Sequence, residues 1–290
     1  PMLNFGKIEV FGTSDARAEF EIERAPNAID NPIRPFINRP ITNNQERAFD
    51  GGQISAQHSI MRFRSGIQNE GSMLFTAGMN IISGRVDNVT GPTRNGLFYV
   101  APNTTVISED DFSSGGVTPD AVAGFTPILD IDAGGSLIVE NAKSLSIAGF
   151  LEMEVSIANP SRIQVAGDLG LDATLFLSFA TDAISSLSHG DAFELMTFSG
   201  DIGGVDFSDP LQLTPDLTSN PILNVVTDAA FNLQFPNLDL IAMPILQSYY
   251  LFALDPSMVG PPNGPGAMGA DFNGDGIVDG QDLVIWQANV

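Results

Sequence analysis

The chain reads as an all-β protein, with a β-solenoid or β-sandwich body and a short C-terminal calcium loop and helix. Three observations predict this. Apolar and polar residues alternate with period two over short segments, Gly and Asn punctuate those segments, and helical periodicity is nearly absent before residue 271. The 20 Phe against one Trp and three Tyr place flat aromatic rings in a sheet-rich core.

Taken in order, residues 7–11, 18–22, 72–75, 96–100, 136–139, 151–155 and 174–179 each alternate and are expected to be strands. Residues 28–50 carry three prolines and several asparagines. Proline removes a ladder donor, so this stretch is expected to be a loop on one face. Short turns are expected near residues 182–188. A turn followed by an apolar strand recurs at 69–75, 95–100 and 134–139, at a spacing of roughly twenty to twenty-five residues that suits one coil of a solenoid. A sandwich with a strand every ten or so residues gives the same signal, and both architectures stay open. The expected organisation is a β-strand repeat region over 1–130, its continuation over 131–255, a Gly/Pro linker over 256–270 and a calcium loop with its helix over 271–290.

The linker leads into Asp271, Asn273, Asp275, Asp279 and Asp282, oxygen side chains at positions 1, 3, 5, 9 and 12 of a loop with Gly276 at position 6. Ca²⁺ takes six to eight hard oxygen ligands, and glycine at position 6 permits the sharp turn that gathers them. The expected ligands are those five side chains and the carbonyl of Ile277, with Asp279 acting through water. The segment after it is apolar and helical in pattern, and Leu283 and Trp286 are expected to pack against a neighbour. Gly and Pro fill the residues before Asp271, so no helix is expected on that side.

Net charge is −23, from 12 Lys and Arg against 35 Asp and Glu, which disfavours nucleic acid and anionic membranes as partners. There is no cysteine, so disulfides, thiolate catalysis and Cys-based zinc sites are excluded together. No apolar run is long enough to span a membrane. The chain opens on Pro1, as removal of a signal peptide would leave it, and weak single-loop calcium sites suit the extracellular space. An extracellular or cell-surface location is expected.

From Asp271 onward the chain resembles a dockerin type I repeat, the calcium-binding half-motif of secreted bacterial proteins. The stretches 62–88, 163–177 and 189–200, the last carrying Gly190, Asp191, Phe193 and Leu195, resemble the autotransporter-type β-strand repeats of secreted planctomycete proteins. The resemblance covers roughly residues 51–210 and 271–290, and it implies a surface or extracellular protein without established catalysis.

Catalytic candidates are few. Glu109, Asp110 and Asp111 adjoin one another, and Asp130 and Asp132 lie two apart on a strand and share a face, where both could reach one substrate or cation. His58 and His189 stand beside no nucleophile elbow or zinc-binding helix. Asn88 and Asn103 head formal glycosylation sequons. The expectation is a non-enzymatic structural protein that assembles with copies of itself into a surface layer, fibre or matrix, with a calcium-stabilised C-terminal clip. The alternative is a carbohydrate-binding or polysaccharide-degrading module, with cell-surface polysaccharide as its partner.

Overall fold

The computed structural model describes residues 3–4, 7–22, 36–39, 52–91, 95–117, 125–202, 224–227, 229–236, 238–245 and 247–254. Within them the protein is all-β, with a seven-stranded sheet, a sixteen-stranded sheet and two short helices, α1 (Thr181–Ser186) and α2 (Ala229–Gln234). Strands are numbered in chain order. The seven-stranded sheet runs through β1 (Leu3–Asn4), β4 (Phe36–Asn38), β7 (Ile67–Asn69), β9 (Val86–Thr90), β12 (Phe112–Val117), β15 (Leu145–Ile147) and β18 (Leu169–Leu171).

The larger sheet has two arms that meet in one bent strand, β8 (Ser72–Ser83). Its first half pairs with β5 (Gln53–Gln57) and β10 (Leu97–Val100), and its second half with β6 (Ser59–Phe63) and β11 (Thr104–Ser108). The first arm continues through β13 (Ile128–Ile131), β16 (Phe150–Val155), β19 (Thr174–Phe179) and β21 (Asn224–Thr227), with β2 (Lys7–Phe11) on its other side. The second arm continues through β14 (Ser136–Val139), β17 (Arg162–Val165) and β20 (Ala192–Phe198), with β3 (Ala18–Ile22) on its other side. Every described ladder is parallel until β20, where β23 (Ser248–Leu254) and then β22 (Asp239–Ile245) add antiparallel.

Alternation along each strand sets what faces the core. In the first arm one register row stacks Ile8, Ile54, Met73, Phe98, Leu129, Leu151, Leu175 and Val225, and the row beside it stacks Val10, Ala56, Phe75, Val100, Ile131, Met153 and Leu177. In the seven-stranded sheet Phe36, Ile67, Val86, Phe112, Leu145 and Leu169 stack likewise. These rows belong to one continuous apolar core. Full burial of such a side chain stabilises by about 1.5–3 kcal/mol, so the repeated inward rows dominate the folding energy. Phe98 packs its ring against Phe75 at 4.9 Å and edge-on against Phe112 at 4.8 Å, tying the two sheets together. Tilted and edge contacts stand here, whereas Phe36 with Phe63 and Phe179 with Phe231 stack nearly flat as expected, at 24° and 21° between rings.

One inward row is polar. Asn4, Asn38, Asn69 and Asn88 occupy one register position, and each amide nitrogen donates to the next oxygen, at 2.9, 2.7 and 2.8 Å. Asn88 ends the row by donating to Ser114 Oγ at 3.0 Å. The second N–H of Asn38, Asn69 and Asn88 reaches the carbonyl of Ser72, Leu97 and Ile128 at 3.2, 2.9 and 2.9 Å. The row thus ties the seven-stranded sheet to the start of the first arm. Asn38, Asn69 and Asn88 are fully buried, and the paired amides remove the penalty that burial would impose.

The bends between the two arms have their own chemistry. His58, Gly78, Asn103 and Gly134 all take positive φ, at 43°, 67°, 56° and 76°. A Cβ on Gly78 would meet the His58 imidazole at 2.1 Å, and one on Gly134 would meet the Asn159 amide at 2.0 Å. Glycine therefore alternates with a larger side chain, and Asn159 Nδ2 donates to Asn103 Oδ1 at 2.5 Å.

Two expectations change. The proline-rich stretch 28–50 contains a strand, β4, because Pro35 and Pro40 flank it and the Phe36 N–H is free to donate to Gly66 O at 3.0 Å. Recurrence is looser than twenty to twenty-five residues, since equivalent asparagines lie 31 and 19 residues apart and Asn88 and Ser114 lie 26 apart. Strands keep register while the connections absorb the length differences. The strand β13 runs across residues 130 and 131 and pairs with β10 and β16. The linker 256–270 and the segment 271–290 lie outside the described residues.

Candidate functional site

The outward rows of the first arm hold the most unusual chemistry of the described residues. Side chains that alternate with the buried Phe98, Leu129, Leu151 and Leu175 rows point away from the core. One outward row runs Leu74, Tyr99, Asp130, Glu152 and Phe176, and the row beside it runs Ser72, Leu97, Ile128, Phe150 and Thr174. Asp132 and Glu154 each lie two residues beyond Asp130 and Glu152 on the same face. Four carboxylates therefore form a grid, with Tyr99 on one side and Phe176 on the other. Neighbouring strands are about 4.8 Å apart and alternate residues about 6.6 Å apart, which sets the scale of the grid.

Its members differ in their partners. The Tyr99 hydroxyl donates to Asp132 Oδ2 at 2.5 Å, and the Ala133 N–H donates to Glu154 Oε2 at 3.0 Å. Asp130 is half-buried, and its neighbours Asp132, Glu152 and Glu154 are all acidic. Burial first and those like charges second push its carboxyl up to about 7. Burial also raises Glu152, and burial together with the bond to Asp132 raises the Tyr99 phenol. Phe150 and Phe176 meet edge-on at 5.0 Å beside the acids. The face can hold a proton near neutrality, donate from Tyr99 and present ring surfaces.

The pair Asp130 and Asp132 thus shares a face as its spacing indicates. Glu152 and Glu154 complete the arrangement, and they follow from pairing β13 with β16, which periodicity alone does not specify. The triplet Glu109, Asp110 and Asp111 is instead a braced turn. The Ser83 hydroxyl donates to Glu109, Lys143 Nζ lies 2.8 Å from Asp110, and the Ser144 N–H donates to Asp111 at 3.0 Å. The bond from Lys143 holds the Asp110 carboxyl below its ordinary value. His58 sits at the bend against Gly78, and His189 is exposed in the turn before β20. Asn88 belongs to the buried amide row, which removes it as a glycosylation acceptor. The row itself has a sequence signal, an apolar residue two before each asparagine at 2–4, 36–38, 67–69 and 86–88.

Among the described residues no group of three or more His, Cys, Asp or Glu is arranged to hold a metal ion. The expected calcium ligands Asp271, Asn273, Asp275, Ile277, Asp279 and Asp282, with Leu283 and Trp286 behind them, lie outside the described residues. Among the described residues no helix is long and apolar enough to cross a membrane. Comparison with family models, with curated proteins and with solved structures returned no match.

Proposed function

We propose that this chain is a structural module of an extracellular layer, fibre or matrix, built as a β-solenoid and joined to copies of itself. Parallel ladders that revisit the same sheets in the same order support a solenoid over a sandwich, whose sheets would be antiparallel. The observation that carries self-association is an outward row on the second arm, Ile60, Ile81, Ile107 and Ile138 in consecutive register. These side chains alternate with the buried Met61, Ile82, Val106 and Leu137. A flat aliphatic strip on an otherwise acidic protein favours a self-complementary partner over a charged one. The test is light scattering over a concentration series with calcium present. Association of the native chain, abolished by Ile81→Lys with Ile107→Lys at unchanged circular dichroism, supports the proposal; a native chain that stays monomeric at high concentration rejects it.

The C-terminal oxygen set, four carboxylates, one amide and one carbonyl, has the hard-ligand chemistry of a calcium loop. In this reading it is a dockerin-like clip that closes the module in the calcium-rich extracellular space. A second reading, a glycan-binding or glycan-cleaving module, is favoured by Phe150, Phe176 and Tyr99 standing beside the carboxylate grid. Glycan-array binding or reducing-sugar release that disappears in Phe150→Ala would select it.

A further inference from the structure

Asp130 is set directly opposite Glu152 by the parallel register of β13 and β16. Like charges directly opposite on a sheet face are destabilising. The other two acids have donors, Asp132 from Tyr99 and Glu154 from the Ala133 N–H. Among the described residues the groups that reach Asp130 are Tyr99 on β10, Asp132 beyond β13, and Glu152 and Glu154 on β16, none of them cationic. A proton is therefore the simplest species that relieves the opposition of Asp130 and Glu152.

We propose that this grid is a proton-held clasp, in which a proton on Asp130 relieves the repulsion across β10, β13 and β16 and keeps them closed on their outer face, and its loss loosens them. The direction follows from linkage. The Asp130 carboxyl sits near 7 in the closed face, against about 4 for a solvated aspartate, so the closed state binds the proton more tightly. The stabilisation is complete below about pH 4 and is lost as pH rises to about 7, above which nothing further is lost. One proton gives at most a tenfold change in the opening equilibrium per pH unit within that window.

The experiment uses the full chain and follows amide exchange, corrected for intrinsic rates, in peptides covering 128–132 and 150–155 from pH 5 to 8. Opening is expected to rise up to about tenfold per unit from pH 5 to 7 and to level by pH 8. In Asp130→Asn, which cannot ionise, the profile is expected to flatten, whereas Glu109→Gln outside the grid is expected to keep it. A flat native profile, or an unchanged slope in Asp130→Asn, overturns the clasp. Should Asp130→Asn fail to fold, carboxyl ¹³C titration of the native chain decides: a midpoint near neutrality for Asp130 supports the clasp, and one in the ordinary aspartate range overturns it.

Discussion

Replacing Asn69 with alanine tests whether the buried amide row is a structural spine or a set of incidental contacts. Asn69 accepts from Asn38 at 2.7 Å and donates to Asn88 at 2.8 Å and to Leu97 O at 2.9 Å. Three bonds at about 1 kcal/mol each, with buried partners left to find new ones, give an expected loss of about 3–5 kcal/mol. That is a large share of a typical domain's stability of about 5–15 kcal/mol. Ser114→Ala at the end of the row is the internal reference. It removes one acceptor from Asn88, whose other N–H keeps Ile128 O, so about 1 kcal/mol is expected. Urea unfolding midpoints measure both. Asn69→Asp sharpens the comparison, because it conserves volume while removing both donors and burying a charge, and it is expected to cost at least as much as alanine. If Asn69→Ala costs no more than Ser114→Ala, or if Asn69→Asp is neutral, shape alone explains the row and the hydrogen-bond argument fails.

Two further outcomes are expected. Gly78→Ala should destabilise through both its positive φ, worth roughly 1–2 kcal/mol, and the collision with the His58 ring; adding His58→Ala should recover the collision and leave the φ cost, as thermal unfolding of the double variant will show. On the proposed calcium clip, EDTA would leave Asp271, Asp275, Asp279 and Asp282 to repel one another by several kcal/mol, so protease cleavage within 271–290 should increase. Asp275→Ala should do the same with calcium present, and cleavage indifferent to EDTA refutes the clip.

Period-two alternation was enough to place segments 7–11, 18–22, 136–139 and 174–179, which coincide with β2, β3, β14 and β19. It also put Asp130 and Asp132 on one face, since side-chain direction is a property of a single strand. Everything that depends on which strand lies beside which was illegible. The opposition of Asp130 and Glu152 requires the β13–β16 register, and connections of unequal length hide that register from any fixed period. The strand β4 was hidden by the prolines around it, and the asparagines of the buried row resemble turn residues when read one at a time. The antiparallel addition of β23 to β20 was illegible too, and neither strand alternates cleanly, since Leu195 and Met196 are both buried, as are Leu251, Phe252 and Ala253.

The same separation of inward from outward rows explains where this acidic chain keeps its repulsion. Inward, apolar rows and a hydrogen-bonded amide row leave little unsatisfied. Outward, acids on β3 are met diagonally by arginines on or just past β6, Glu19 by Arg62 at 3.1 Å and Glu21 by Arg64 at 2.6 Å. The Asp130, Asp132, Glu152 and Glu154 grid has no such cation among the described residues, and Glu152→Lys would relieve it. A site that breaks a local stability rule without visible compensation is where function or strain is expected. The clasp and the glycan reading explain that breach differently. Asp130→Asn should raise the thermal midpoint at pH 8 in either case, because it removes a charge the fold resists. Glycan binding lost in Phe150→Ala would make the grid a working surface, whereas glycan indifference with pH-dependent opening would leave it a proton-held closure alone.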